Sequence, residues 1–141
     1  MRSNLRALEK NIELKLYGDY LSGPVRACIA LLTRESTRVG KWEFKEMVLR
    51  GDGWDKRFEP DYLKINPFGK IPTLQVTEQG KPDLNIFESI AILKYICDLK
   101  KLPDHWYPTS AAADIELRAK MDMYLNWHHT GTRGNRYFFK K

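Results

Sequence analysis

The 141-residue sequence predicts an α/β sheet with helices on its faces, followed by an all-helical element, and three features carry that expectation. Residues 13–17 alternate polar and apolar before a helical repeat begins. A proline stands where an apolar strand should start, ahead of a hairpin and a second helix. A long helical pattern then takes over after residue 110. The order β-α-β, then β-β-α, describes a parallel unit joined to an antiparallel hairpin and a closing helix.

Residues 1–12 set Arg2, Arg6 and Lys10 among Leu5, Leu8 and Ile12, a pattern for a short amphipathic turn or a loose extension. Glu13-Leu14-Lys15-Leu16-Tyr17 has the period of a half-buried strand, which Gly18 and Asp19 end. Val25, Cys28, Ile29 and Leu32 then recur at helical spacing. Ser22 or Gly23 is the natural N-cap, and Pro24 falls at or near the first helical position, where a missing N–H costs nothing. A second strand is expected from Trp42 to Leu49, with Phe44 and Val48 on one face and Met47 and Leu49 near the other. The polar loop Arg50 to Lys56 and a short helical piece through Tyr62, Leu63 and Ile65 follow.

Asn66-Pro67-Phe68-Gly69-Lys70-Ile71-Pro72-Thr73-Leu74-Gln75-Val76 is the stretch around which the chain is organised. Pro72 cannot donate a ladder hydrogen bond, so it marks a strand entrance, and Ile71 before it is pushed to extended geometry. A cis Ile71-Pro72 bond would turn the Ile71 backbone outward to pair with a peptide-like ligand; a trans bond would leave a plain loop-to-strand turn. Glu78-Gln79-Gly80-Lys81 reads as a hairpin turn, and Leu84 and Ile86 form the return strand. Glu88-Ser89 opens a helix whose Ile90, Ile92, Leu93, Tyr95 and Ile96 are apolar on more than one face, so it is expected to be buried. His105-Trp106-Tyr107-Pro108 belongs to a linker over 101–109, and Ser110 to His129 reads as one helix with Leu117, Met121, Leu125 and His128 on a stripe. Tyr137, Phe138 and Phe139 in the tail need a partner that a lone amphipathic helix cannot give.

Three starts converge in such a sheet: Ser22 at the first helix, Ile71-Pro72 at the third strand and Glu88-Ser89 at the last helix of the sheet domain. Ligands of open α/β sheets sit beyond the strand ends, and helix N-termini favour anions, so a small anionic peptide suits this edge. Ser89 offers an N–H and a hydroxyl to a carboxylate, and Glu88 can accept an ammonium; the plain alternative is an ordinary N-cap. The Ser22 hydroxyl can donate to a thiolate, with Tyr17 as the competing donor or a simple core tyrosine. Making a thiol a hundredfold more acidic than its usual pKa of about 8.5 requires roughly 2.7 kcal/mol, within reach of one charge-assisted hydrogen bond and a helix dipole. His128 and His129 are adjacent and do not share a helix face, which speaks against a metal pair. Arg133 could meet an anion or be merely solvated.

The net charge of +6 fits an anionic small ligand or a solvated surface, and no nucleic-acid motif is present. Cys28 and Cys97 lack metal-ligand spacing and read as buried thiols. No apolar run approaches a membrane span, so a cytoplasmic location is the default. The basic, Ser3-bearing first twelve residues keep a mitochondrial location as the alternative, against which Glu9 counts.

These motifs resemble the glutathione transferases, most nearly the theta class. The resemblance rests on Leu14 to Ala27, Ile65 to Leu74, Glu88-Ser89 with Ala91-Ile92-Leu93, Pro103 to Pro108, and Met121-Asp122, Tyr124-Leu125 and Trp127-His128, and runs over roughly residues 13–134. It implies a thioredoxin-like domain over 13–100 with a cis Pro72, then a partial helical domain over 110–141 consisting of the first helix. It implies glutathione as co-substrate and no metal, with Ser22 holding the thiolate for attack on electrophilic small molecules. Lys70, Ile71, Pro72, Glu88 and Ser89 would bind the tripeptide, and Asp122 would reach the partner subunit's glutathione in a homodimer. Gly23 replaces the glutamine usual after the serine, and the lengthened loop through Gly53 and Trp54 lacks the usual histidine, so Lys56 or Arg57 could supply that contact. Arg133 would fall near the electrophile. Because most of the electrophile pocket should lie beyond the first helix, the rival expectation is a catalytically silent subunit that docks in a larger protein assembly.

Overall fold

In the computed structural model the described residues are 12–48, 55–108, 114–128 and 131. They divide into two units, Met1–Leu93 and Lys94–Lys141.

The first unit is built on a four-stranded sheet in the order β2-β1-β3-β4, formed by β1 (Ile12–Gly18), β2 (Trp42–Glu46), β3 (Thr73–Glu78) and β4 (Leu84–Phe87). β1 pairs parallel with β2 and β3 pairs antiparallel with β4, as expected for a parallel unit and a hairpin, and the two are joined by antiparallel pairing of β1 with β3. The alternation in β1 holds: Leu14 and Leu16 are buried, while Lys15 on the other face lies beside Glu43 at 3.7 Å. Helix α1 (Gly23–Arg34) buries Val25, Cys28, Leu31 and Leu32. Its approach to β1 is close, since a Cβ on Gly18 would stand 2.4 Å from a methyl of Val25, and only glycine fits there. Burial pushes the Cys28 thiol up to about 12, so it is not a nucleophile at neutral pH.

Two boundaries differ from expectation. Helix α2 (Ser36–Val39) was not foreseen; it turns the chain with Val39 buried and Arg38 donating to Glu35 at 2.8 Å. β2 ends at Glu46 rather than Leu49 because Glu46 already pairs with Gly18, the last residue of its partner strand. Met47 still donates its N–H to the Gly18 carbonyl at 2.6 Å, but beyond it β1 offers nothing to pair with. Leu49 and Arg50 to Trp54 lie outside the described residues.

A 3-10 turn (Lys56–Phe58) and helix α3 (Pro60–Ile65) lead to β3. Gly80 takes φ +82° in the hairpin, where Lys81 N–H donates to the Glu78 carbonyl at 3.0 Å. Helix α4 (Ser89–Lys100) runs from the first unit into the second, with Ile92, Ile96 and Cys97 buried.

In the second unit, Leu102 and Tyr107 are buried and helix α5 spans Ile115–Trp127. α5 begins at Ile115 and not Ser110, because the Asp114 carboxylate caps it by accepting the Glu116 N–H at 2.8 Å. No residue of α5 is buried, so the stripe Leu117, Met121, Leu125 and His128 does not face a core among the described residues. His129 and the aromatic tail Tyr137 to Phe139 lie outside those residues. Tyr107 ties the unit together: its hydroxyl donates to Asp122 at 3.0 Å, and Lys94 Nζ sits 4.9 Å from its ring centroid.

Candidate functional site

The register of the sheet brings one rim together. Tyr17 pairs with Thr73 and Thr73 with Phe87, so the loop after β1, the entry to β3 and the exit from β4 lie at the same edge. Ser22, Ile71-Pro72 and Glu88-Ser89 are therefore gathered by strand direction alone.

Ser22 is the N-cap residue of α1 by backbone geometry, with φ −83° and ψ 117°, yet its side chain makes no capping hydrogen bond. A capping hydroxyl normally accepts from the second or third helical N–H. Pro24, the second residue of α1, has no such N–H. Ser22 is half-buried, and its hydroxyl is not engaged in capping its own helix. The loop before it is pinned through both groups of Asp19: Ser22 N–H donates to the Asp19 carbonyl at 2.9 Å, and the side-chain Oδ1 accepts the Leu21 N–H at 2.7 Å. Tyr17, the competing donor, points its hydroxyl to Gln75 Oε1 at 3.2 Å. Burial raises its pKa above the ordinary phenol value, with Lys45 pulling the other way.

The Ile71-Pro72 peptide bond is cis. What holds the segment is a polar knot that sequence reasoning missed. Asn66, fully buried, donates through Nδ2 to the Lys70 carbonyl at 2.9 Å and Thr73 Oγ1 at 3.0 Å, and accepts the Phe68 N–H at 3.1 Å. The Tyr62 hydroxyl donates to the same Lys70 carbonyl at 2.6 Å and contacts Thr73 Oγ1 at 2.8 Å. Gly69 completes the turn at φ +58°. The only sequence signal for the knot was the turn-forming Asn-Pro-Phe-Gly run, which by itself reads as exposed. Outside the knot, Lys70 presents an exposed side chain and Ile71 is half-buried.

Glu88 takes φ +70°, a left-handed conformation uncommon for a residue with a Cβ, and leaves its side chain exposed at the mouth of α4. Ser89, first in that helix, is buried. Lys56 is exposed, whereas the Arg57 guanidinium is held by Asp55 through Nε bonds of 2.9 and 3.0 Å and a further contact from Nη2 to Oδ2. Asp122 lies in the second unit, where it accepts from Lys94 at 2.9 Å and from Tyr107. Burial works against its ionisation, but those two donors outweigh it and hold its carboxyl below the ordinary range. Arg133 lies outside the described residues. Among the described residues no group of three or more His, Cys, Asp or Glu side chains could hold a metal, and no helix is long and apolar enough to cross a membrane.

The mixed four-stranded sheet, its flanking helices and the proline at the entry to β3 define a thioredoxin-like domain. The family model described as the N-terminal domain of glutathione S-transferase matches residues 25–98. The chain belongs to the glutathione S-transferase family, and its similarity is to theta-class members. Glutathione S-transferase T1 of Arabidopsis thaliana is 37% identical over 123 residues, 86% of this chain and 44% of that protein. Glutathione S-transferase theta-1 of Bos taurus is 34% identical over 122 residues, covering 86% and 45% of the two chains. Glutathione S-transferase T2 of Arabidopsis thaliana is 35% identical over 123 residues, which make up only 18% of its length. The solved structure of human glutathione transferase theta-2, in complex with glutathione and an unknown ligand, aligns with TM-score 0.69 at 31% identity over 86% of this chain and 44% of that one. The chain thus spans less than half the length of these relatives.

Proposed function

We propose that the rim of the first unit binds glutathione and that Ser22 holds its sulfur as a thiolate for conjugation to electrophilic small molecules. The observation that carries this reading is the Ser22 hydroxyl, set at a helix start by backbone geometry but not engaged in capping that helix. The thiol proton leaves to solvent, the thiolate forms a bond to the electrophilic carbon, and any leaving group departs with its electron pair. No covalent enzyme intermediate is needed.

In this assignment Lys70, Ile71 and Pro72 line the tripeptide, Ser89 and the start of α4 meet a carboxylate, and Glu88 takes the ammonium. Lys56 or Arg57 brings positive charge in place of a histidine, Arg57 being anchored by Asp55. Asp122 serves the partner subunit's glutathione in a homodimer, and Arg133 adjoins the electrophile. The working compartment is the cytoplasm, with the mitochondrion as alternative. The solved structure of human glutathione transferase theta-2, described as a complex with glutathione, supports the ligand. Retention of the chain on immobilised glutathione, with release by the free tripeptide, is the expected result; a folded chain that flows through overturns the assignment.

The strained Glu88 gives a second check. Left-handed backbone costs a residue with a Cβ about 1–3 kcal/mol, and glycine would remove that cost while adding about 0.5–1 kcal/mol of chain entropy to lose on folding. Glu88→Gly is expected to leave stability to denaturant unchanged or raise it slightly, while weakening retention on glutathione. A loss of stability alongside intact retention would assign Glu88 a purely structural part.

One observation favours a second reading. α5 leaves Ile115, Leu117, Met123, Tyr124 and Trp127 exposed, apolar surface suited to a structural subunit of a larger assembly. Co-purification in a large complex, with no conjugation by that complex, would support it over the enzyme.

A further inference from the structure

Arg26 is absorbed by none of these assignments, although it stands within the segment Leu14 to Ala27. Its Nη1 reaches back from the first turn of α1 to donate to two successive carbonyls, that of Tyr20 at 2.8 Å and that of Leu21 at 3.3 Å. Its own N–H donates to the Ser22 carbonyl at 3.0 Å, an ordinary helical bond that closes the same loop. One side chain thus fixes the two peptide units just ahead of the serine, and both lie at the surface, where water would otherwise solvate them. The loop they stiffen carries exposed side chains at Tyr20 and Leu21; the Tyr20 ring meets Phe44 of β2 at 4.8 Å between centroids, and the guanidinium adds a hold directly on the backbone. Among the described residues, the other ionisable groups on or next to this loop include Asp19, whose Oδ1 accepts the Leu21 N–H, the Tyr20 phenol, and Lys45 and Glu46, which pair with Tyr17 and Gly18 just before it. Of these groups, Arg26 is the one shown donating to the carbonyls of Tyr20 and Leu21.

We infer that Arg26 is a positioning residue for Ser22, fixing the Tyr20 and Leu21 carbonyls so that the serine hydroxyl is presented to the ligand sulfur at a set angle. This rests on the reading that Ser22 holds the glutathione thiolate, and it adds a residue that acts only through that hydroxyl. A long-range effect of the guanidinium charge on the sulfur is the competing explanation, and the two differ in whether the serine must be present.

The test is an ultraviolet difference titration of the sulfur of bound glutathione, read for the 141-residue chain and for Arg26→Ala, Ser22→Ala and the double variant. It needs no electrophile. S-methylglutathione, which has no thiol to ionise, measures binding separately. The bound sulfur is expected to ionise well below the ordinary thiol range in the unaltered chain. Arg26→Ala should cut the thiolate fraction near neutral pH about fivefold to tenfold, with S-methylglutathione affinity changed less than about threefold. In the Ser22→Ala background the same change should move the titration no further, because a residue acting through the serine has nothing left to act on. An equal shift in both backgrounds overturns positioning in favour of a direct charge effect. A titration unmoved by Arg26→Ala overturns the inference and leaves the role of Ser22 standing. A bound sulfur that titrates like free glutathione in the unaltered chain overturns the role of Ser22 itself. Should Arg26→Ala not bind S-methylglutathione, Arg26→Lys is compared in the two backgrounds by the same criteria.

Discussion

Ser22→Ala is expected to lower conjugation about tenfold or more near neutral pH while leaving the melting temperature almost unchanged. The two halves of that result come from one geometric fact. Removing a serine that caps a helix ordinarily costs about 0.5–2 kcal/mol. Here the side chain makes no capping bond, so little of that cost applies. In the proposed role the hydroxyl acts instead on the ligand. A thiol made a hundredfold more acidic carries about 25 times more thiolate at pH 7 than one at its ordinary value. The less acidic thiolate is the better nucleophile, which returns part of the loss. Activity of the variant should therefore recover as pH rises through the ordinary thiol range. The signature is a displaced pH profile at constant stability. Tyr17→Phe should change conjugation less than about twofold, since that hydroxyl is directed to Gln75. Loss with Tyr17→Phe but not with Ser22→Ala would reverse the assignment.

The largest effect on stability is expected at Asn66. Asn66→Ala removes two donated bonds and one accepted bond from a fully buried position. Each such bond contributes about 1 kcal/mol net, and groups left buried without a partner cost about 1–3 kcal/mol more. Part of that is relieved because Tyr62 still serves the Lys70 carbonyl and Thr73. A fall of about 3 kcal/mol in the unfolding free energy is expected by urea denaturation, a large share of the 5–15 kcal/mol typical of a folded domain. Tyr62→Phe, which takes one hydroxyl from the same knot, should cost about half as much. If Asn66→Ala unfolds at the same urea concentration as the unaltered chain, the knot does not hold the Pro72 segment.

How much was legible in the sequence follows from how local each signal is. Glu13 to Tyr17 alternates because one face of β1 is buried, and that pattern needs no knowledge of the neighbours. Ser22, Pro24, Gly80 and the Glu88-Ser89 start are punctuation read over two or three residues, and the structure places each where the local rule puts it. The proline-led strand was predicted over Thr73 to Val76, and it runs two residues further, to Glu78, because Ile12 and Glu13 of β1 pair with Glu78 and Thr77. The end of β2 was not readable, because it is set by where β1 stops 28 positions earlier in the pairing Gly18 to Glu46. Helix α2 buries a single apolar residue, Val39, and so leaves no period to detect. Asn66 escaped notice for a different reason. Asparagine before proline announces a surface turn, and only the three-dimensional meeting of Lys70, Tyr62 and Thr73 makes it a core residue. Arg26 escaped for the same reason, since its two acceptors are backbone atoms of the preceding loop.

The reversed direction of β3 has a consequence for how compact a ligand can be served. Were this strand to run alongside β1 in the same sense, its proline-marked beginning would sit at the far border of the sheet. Six residues of strand span about 20 Å, longer than the reach of a tripeptide spread across a serine and a helix mouth at once. Folding one strand head to tail with its neighbour shrinks that separation to the width of adjacent strands, roughly 5 Å apart. A molecule three residues long can then touch both, and any rearrangement that restored a uniform strand direction would leave each contact intact but beyond the grasp of one ligand.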